Sequence, residues 1–250
     1  MKKIALITGA TSGIGKATAE AFAKQNIDLI LCGRRKERLD EIAEELGKKV
    51  EIQTLTFDVR NYAEVEDALN SLSDKWREID ILVNNAGNAH GFDTIDEGSI
   101  ADWDAMIDGN VQGLLYVSKL VMPYMVRRKT GHIINLSSVA GKQTYANGAV
   151  YCASKKAVEA ISEGMRLDLT KHGIKVTNIA PGAVETEFSD VRFKNDTERA
   201  AKVYEGYDAL LAEDVADAIL YAVTVPERVC IADMTIYPKA QSAPSVIHRG

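Results

Sequence analysis

The 250-residue chain is poor in the residues that staple or punctuate a fold. Its three cysteines, Cys32, Cys152 and Cys230, are odd in number, far apart and without a CxxC pair. That excludes a disulfide scaffold and reads as small buried hydrophobes in a reducing compartment. The four histidines have no metal-ligand spacing, so no metal site is expected. Prolines number five, and no linker, repeat or low-complexity run divides the chain, which argues for one domain. No apolar run approaches the roughly 20 residues of a membrane span. Met1-Lys2-Lys3 before Ile4 to Ile7 imitates the start of a signal peptide, but the apolar stretch is short and enters a glycine loop. A soluble, cytoplasmic protein is expected. An excess of positive charge is also lacking: 30 basic against 36 acidic residues, a formal net of −6, removes the main attraction for nucleic acid.

What is present is a strict alternation of apolar strands and amphipathic helices. IALIT, IDLILCG, VEIQTLTFDV and IDILVNN read as strands, and GKATAEAFAKQ, ERLDEIAEELG and YAEVEDALNSLSDKW as the helices between them. Continuous apolar strands in a βαβα order predict a parallel sheet covered on both faces, and right-handed crossovers make it doubly wound. Further along, Trp103 to Met125 and Tyr151 to Lys171 are predicted helices and Ile174 to Ile179 a strand. Glu213 to Thr224 follows as a helix and Met234 to Tyr237 as the last strand, before a tail over 238–250. The stretch from 183 to 207 has no clean period, is long for a loop and is expected to be a mobile lid.

The first β-to-α turn, TGATSGIG, carries Gly9, Gly13 and Gly15. Its spacing is not G-x-G-x-x-G, but its place suits a tight turn that brings the backbone and a helix N-terminus to a phosphate. At the end of the second strand, where an acid would hold ribose hydroxyls, the chain has Arg34 and Arg35, which favour a 2′-phosphate and hence NADP. No carboxylate is expected beside them, since Asp28 lies at the strand's other end. Asp58, ending the third strand, reads either as an acceptor for an adenine amine or as a helix N-cap. Asn85 and Gly87, after the fourth, allow a close backbone approach or form a plain turn.

The chemistry gathers between Gly131 and Lys155. A strand through Ile133, Ile134 and Leu136 delivers Ser137 and Ser138, and a helical pattern then carries Tyr151 and Lys155 four residues apart, on one face. A phenol titrating near about 10 is a weak base at neutral pH, and an ammonium one turn away favours its phenolate. Ser138 would hold a carbonyl or alcohol oxygen against it, as proton transfer at a C–O group requires. Each feature also has a plainer reading, a chance pair and a helix cap. Asn110, inside a predicted helix, needs partners if buried, and a water leading to Lys155 is one candidate.

In this order TGATSGIG, NNAG, Asn110, Ser138, Tyr151-x-x-x-Lys155 and Pro181-Gly182 with Thr186 resemble the short-chain dehydrogenase/reductase family over nearly the whole chain. The resemblance implies a single-domain Rossmann-type α/β fold with a seven-stranded sheet, a nicotinamide cofactor, here NADP, and an Asn110-Ser138-Tyr151-Lys155 tetrad. It makes Tyr151 the acid–base and Lys155 the ribose ligand that lowers the phenol's pKa. Ser138 orients substrate, Asn110 holds a relay water and Thr186 meets the carboxamide. Cofactor contacts are implied for Gly9, Thr11, Ser12, Gly13, Ile14 and Gly15 of the first turn, and for Arg34, Arg35, Asp58 and Val59 at the next two strand ends. Asn85, Ala86 and Gly87, then Pro181, Gly182 and Val184, complete them.

The segments DWDAMIDGN, PGAVETEFSDVRFKND and AQSAPSVIHRG are similar to the NADP-dependent 3-hydroxy acid dehydrogenases, a homotetrameric subgroup. The expected activity is hydride transfer between NADP and a small 3-hydroxy acid such as serine or allo-threonine. The rivals are a 3-oxoacyl-carrier-protein or general ketone reductase, whose carrier Arg127 and Arg128 could dock, and a non-catalytic NADP-sensing regulator. A small acid needs a cation opposite Ser138 and Tyr151. Arg192 in the lid, next to Phe193, is favoured over Lys194, Arg249, Lys142 and Gln143, and the tail bearing Arg249 could reach a neighbouring subunit.

Overall fold

The computed structural model describes residues 2–194 and 196–250, so Met1 and Asn195, the latter inside the expected lid, lie outside the described residues. Alternation within each strand builds the core. In β1 (Ile4–Thr8), Ala5 and Ile7 face one side while Ile4 and Leu6 face the other, and in β2 (Asp28–Gly33) Leu29 and Leu31 oppose Ile30 and Cys32. Both sets are buried, which is possible only if helices cover both faces. The first face packs on α1 (Gly13–Lys24), α2 (Lys36–Leu46) and, through Val215 and Ile219, α10 (Ala212–Thr224). The second packs on Val65 and Leu69 of α3 (Tyr62–Asn70), Val117 and Val121 of α5 (Gly113–Arg128), and Val158 and Met165 of α7 (Ala149–Leu169).

The sheet is completed by β3 (Ile52–Thr56), β4 (Ile81–Asn84), β5 (Gly131–Leu136), β6 (Ile174–Pro181) and β7 (Asp233–Ile236). Its seven strands are all parallel and run in the order β3-β2-β1-β4-β5-β6-β7. The order reverses between β1 and β4, so their C-terminal ends diverge and leave a crevice. This is the doubly wound sheet the alternation predicts, with trimmed ends: β3 stops at Thr56, and Asn61 rather than Asp58 caps α3 by accepting from the amides of Ala63 and Glu64.

Two regions depart from the expectation. The predicted continuous helix from Trp103 to Met125 is α4 (Ile100–Ile107), a π-helical segment over Asp108–Gln112, and α5. Period counting missed the widened turn because apolar residues continue on both sides of it. The irregular stretch after Gly182 holds two short helices, α8 (Phe188–Arg192) and α9 (Thr197–Lys202). The tail is a two-strand hairpin, β8 (Gln241–Ala243) with β9 (Val246–Ile247). It packs on its own chain: Gln241 accepts from the Ala183 amide at 2.9 Å, and the Arg249 guanidinium donates to carbonyls of Lys202, Val203 and Glu205. Of the cysteines, Cys32 and Cys152 are buried as expected, whereas Cys230 is exposed in the connection between α10 and β7.

Candidate active site

A cleft of about 1190 Å³ opens above the C-terminal ends of β1, β2, β4, β5 and β6. Its floor is the glycine turn. Gly9 sits at φ +66°, in the left-handed region that a side chain disfavours, and a Cβ on Gly15 would collide with the Gly9 carbonyl oxygen. The turn is clamped to the β4 end: Thr8 Oγ1 accepts from the amides of Asn85 and Ala86 at 3.1 and 3.0 Å, and Asn85 Nδ2 donates to the Thr8 carbonyl at 2.9 Å. Asn85 therefore shapes the turn as well as the cleft wall. Ser12 is the N-cap of α1 but makes no side-chain cap, so the first-turn amides are not capped by it and face the cleft. The residues present thus form a phosphate cradle.

At the β2 end, Arg35 donates to Thr11 Oγ1 at 2.7 Å and to Ser12 Oγ at 2.7 Å. Contrary to the sequence expectation, a carboxylate does reach these arginines. Glu187, distant in sequence, pairs with Arg35 at 2.9 Å and with Arg38 at 2.7 Å. Asp58 lines the same cleft, but its carboxylate is gripped by Arg60, from 2.6 to 3.0 Å, with Arg34 3.7 Å away. That occupancy leaves it little free capacity to accept from an adenine amine.

Tyr151 and Lys155 are both buried on α7. Lys155 Nζ donates to the Leu136 carbonyl at 2.9 Å. A Cβ on Gly87 would lie 2.9 Å from Asn110 Oδ1 and 3.3 Å from Lys155 Nζ, so this glycine leaves room for the two groups to converge. Asn110, in the π segment, accepts from the Asn88 amide at 2.7 Å and donates to the Asn88 carbonyl at 2.8 Å and to Ser154 Oγ at 3.0 Å. It is buried and its partners are protein atoms on the 88 loop and α7, which fixes the loop bearing Gly87. Ser138 is a cap after all: its Oγ accepts from the Ala140 amide at 3.1 Å at the start of α6 (Val139–Lys142). The cap and a place beside the Tyr151 phenol are compatible, since a hydroxyl carries two lone pairs and a proton.

A second cation, Arg192, stands near the phenol. Burial raises the Tyr151 phenol well above its usual range, and the neighbouring Ser138 hydroxyl and Arg192 guanidinium oppose that rise. Lys155 is itself depressed, from 10.5 to about 8, by burial. Arg192 lies 5.6 Å over the Tyr151 ring and 4.8 Å over Phe92, and donates to Tyr145 Oη at 3.2 Å. The other cations are engaged elsewhere: Lys142 with Glu159 and Asp233, Lys194 with Asp102, and Arg249 with backbone carbonyls. Sequence reasoning missed Phe92, Tyr145 and Phe188, whose ring centroid is 5.8 Å from that of Tyr151. No spacing rule links residues from two loops and the start of α8.

The family model described as short chain dehydrogenase matches residues 3–197. The chain belongs to the short-chain dehydrogenase family. It is thus an oxidoreductase acting on CH–OH groups. Among related proteins, it is 45% identical over 248 residues to the NADP-dependent 3-hydroxy acid dehydrogenase YdfG of Salmonella typhi, covering 98% of this chain and 99% of that one. It is 42% identical to sulfoacetaldehyde reductase 2 of Chromohalobacter salexigens, over 97% of this chain and 96% of the relative. A closed form of serine dehydrogenase complexed with NADP+ superimposes with a TM-score of 0.93 at 45% identity, covering 99% of this chain and all of the other.

In this short-chain dehydrogenase the depressed Lys155 has a stability consequence. Between about pH 8 and 10.5 the unfolded chain holds a proton on this lysine that the native chain does not, so stability rises with pH across that window. Below it the full cost of the buried ammonium is present. Lys155→Met keeps the stem and deletes the charge. It is expected to stabilise the protein by about 1–3 kcal/mol near neutral pH, to stabilise it less near about pH 10, and to abolish turnover. Thermal melts at the two pH values check this; a loss of stability at neutral pH would mean that the bond to Leu136 outweighs desolvation.

Proposed function

We infer that the protein is an NADP-dependent oxidoreductase that transfers a hydride between the nicotinamide and a small 3-hydroxy acid or its 3-oxo form. The observation that carries the substrate class is Arg192: a guanidinium beside the Tyr151 phenol, with no carboxylate partner among the described residues and open to an anion. The names of the relatives, a 3-hydroxy acid dehydrogenase and a serine dehydrogenase, support the same class. Bound in the cleft, the cofactor supplies the hydride acceptor or donor.

The chain's own residues supply the rest. The glycine turn receives the diphosphate, Arg34 and Arg35 the 2′-phosphate, Lys155 the nicotinamide ribose, and Thr186 the carboxamide. In oxidation, Ser138 holds the substrate hydroxyl and Tyr151 takes its proton as the C–H bond gives up its hydride, leaving a carbonyl. In reduction the phenol returns that proton. Arg192 fixes the carboxylate so that the reacting carbon has one orientation. The stretch over 183–207 acts as the lid, since it carries both Thr186 and Arg192.

A homotetramer is part of this reading, and the exposed Leu115 of α5 and Leu167 of α7 are apolar surface that such an assembly would cover. So is a cytoplasmic setting; among the described residues no helix is long and apolar enough to cross a membrane. NADPH absorbance followed across 3-hydroxy acids, 3-oxoacyl thioesters and neutral ketones tests the assignment. The highest kcat/KM is expected for small anionic substrates, and a preference for thioesters or neutral ketones would reject it.

A further inference from the structure

Arg35 at the end of β2 and Arg38 in α2 hold the same anion, the Glu187 carboxylate. Arg35 turns one edge to Thr11 and Ser12, on the rim of the phosphate cradle, while its other edge and Arg38 hold the Glu187 carboxylate. A 2′-phosphate carries a charge of about −1.5 to −2 near neutral pH and seeks the same guanidinium. Glu187 stays ionised there, because its bond from Arg35, then that from Arg38, holds its carboxyl below the ordinary range. It stands in the lid between Thr186 and Phe188. Thr186 packs close to Gly13 of the cradle and Phe188 against the Tyr151 ring, so the carboxylate cannot leave the cleft rim without the lid.

We propose that Glu187 is a specificity-determining residue that competes with the cofactor's 2′-phosphate for Arg35, lowering the affinity for NADP while leaving that for NAD unchanged. NAD has no group to contest the pair, so the carboxylate narrows the gap between the two cofactors. It also makes entry of the 2′-phosphate an exchange of one anion for another on a segment that covers the site. The inference rests on the reading of Arg34 and Arg35 as the 2′-phosphate site.

Fluorescence titration of NADPH and NADH onto the full chain tests it without turnover. Glu187→Gln is expected to tighten NADPH by about two- to fivefold, the range of one exposed ion pair, and to leave NADH unchanged. The gain should shrink as salt is raised, since the pair is half exposed, and should vanish when Arg35 and Arg38 are both replaced by Ala. NADPH affinity that is unchanged or weaker in Glu187→Gln overturns the proposal, as does equal tightening of both cofactors, which would be a general loosening of the lid. Arg35→Ala alone separates the underlying reading: it should weaken NADPH and spare NADH. If NADPH binding survives in that variant, the 2′-phosphate site itself is misplaced.

Discussion

Tyr151→Phe should lower turnover by about 10²-fold or more while NADPH still binds with nearly its normal affinity. The substitution removes one oxygen from a buried ring and leaves its packing on Phe188 intact, so the fold and the cleft are preserved. What is lost is a phenol that lies near both Ser138 and Arg192. Because burial raises that phenol, it keeps its proton at neutral pH and is in the form that reduction needs, and oxidation is expected to speed up as pH rises. Initial rates in both directions across pH, with NADPH binding measured separately, check this. Near-normal turnover in the variant would move the acid–base role to another group, with the Tyr145 hydroxyl, in reach of Arg192, the next to examine.

Arg192→Ala should lower kcat/KM for a 3-hydroxy acid by about 10- to 150-fold, the value of one charge-assisted contact of about 1.5–3 kcal/mol. Its guanidinium is held by faces of Phe92 and Tyr145 rather than by a carboxylate, so its charge is not spent inside the protein. The same change deprives the Tyr151 phenol of a nearby cation, and that loss falls equally on charged and neutral substrates. The discriminating quantity is therefore the ratio between a 3-hydroxy acid and a neutral alcohol of the same size. A ratio unchanged from the wild type would dismiss Arg192 as the carboxylate anchor. Lys142 and Lys194, already in ion pairs, could not readily replace it.

The parts of this site that were legible in the sequence obey short-range rules. The glycine turn follows the first strand directly, and Tyr151 and Lys155 are one helical turn apart, so local geometry alone sets them on a shared face. The doubly wound sheet follows from strands that are apolar on both faces. What was not legible depends on long-range approach. Glu187 meets arginines some 150 residues earlier in the chain, from a stretch without clean periodicity, and no pattern in either segment announces the pairing. The ring cluster around Arg192 draws on the loops carrying Phe92, Tyr145 and Phe193. Spacing on a helix fixes a face, not the direction in which two long side chains turn once buried. Lys155 donates to the Leu136 carbonyl of the neighbouring strand, a contact that the four-residue spacing does not announce.

The π-helical segment from Asp108 to Gln112 also bears on which length changes this gene can tolerate. Such a segment is an α-helix with one residue inserted, and each residue advances a helix by about 100°. Removing any one of these five would let α4 and α5 fuse into a regular helix with their flanks near the present register, because the wide turn already absorbs the extra residue; what is lost is the turn that carries Asn110. Asn110 could then no longer reach Asn88 and Ser154 while Val117 and Val121 kept their places in the core. A single-codon deletion here is consequently expected to disturb the Asn110 contacts, whereas the loop over 93–97, exposed and outside any helix, can absorb one.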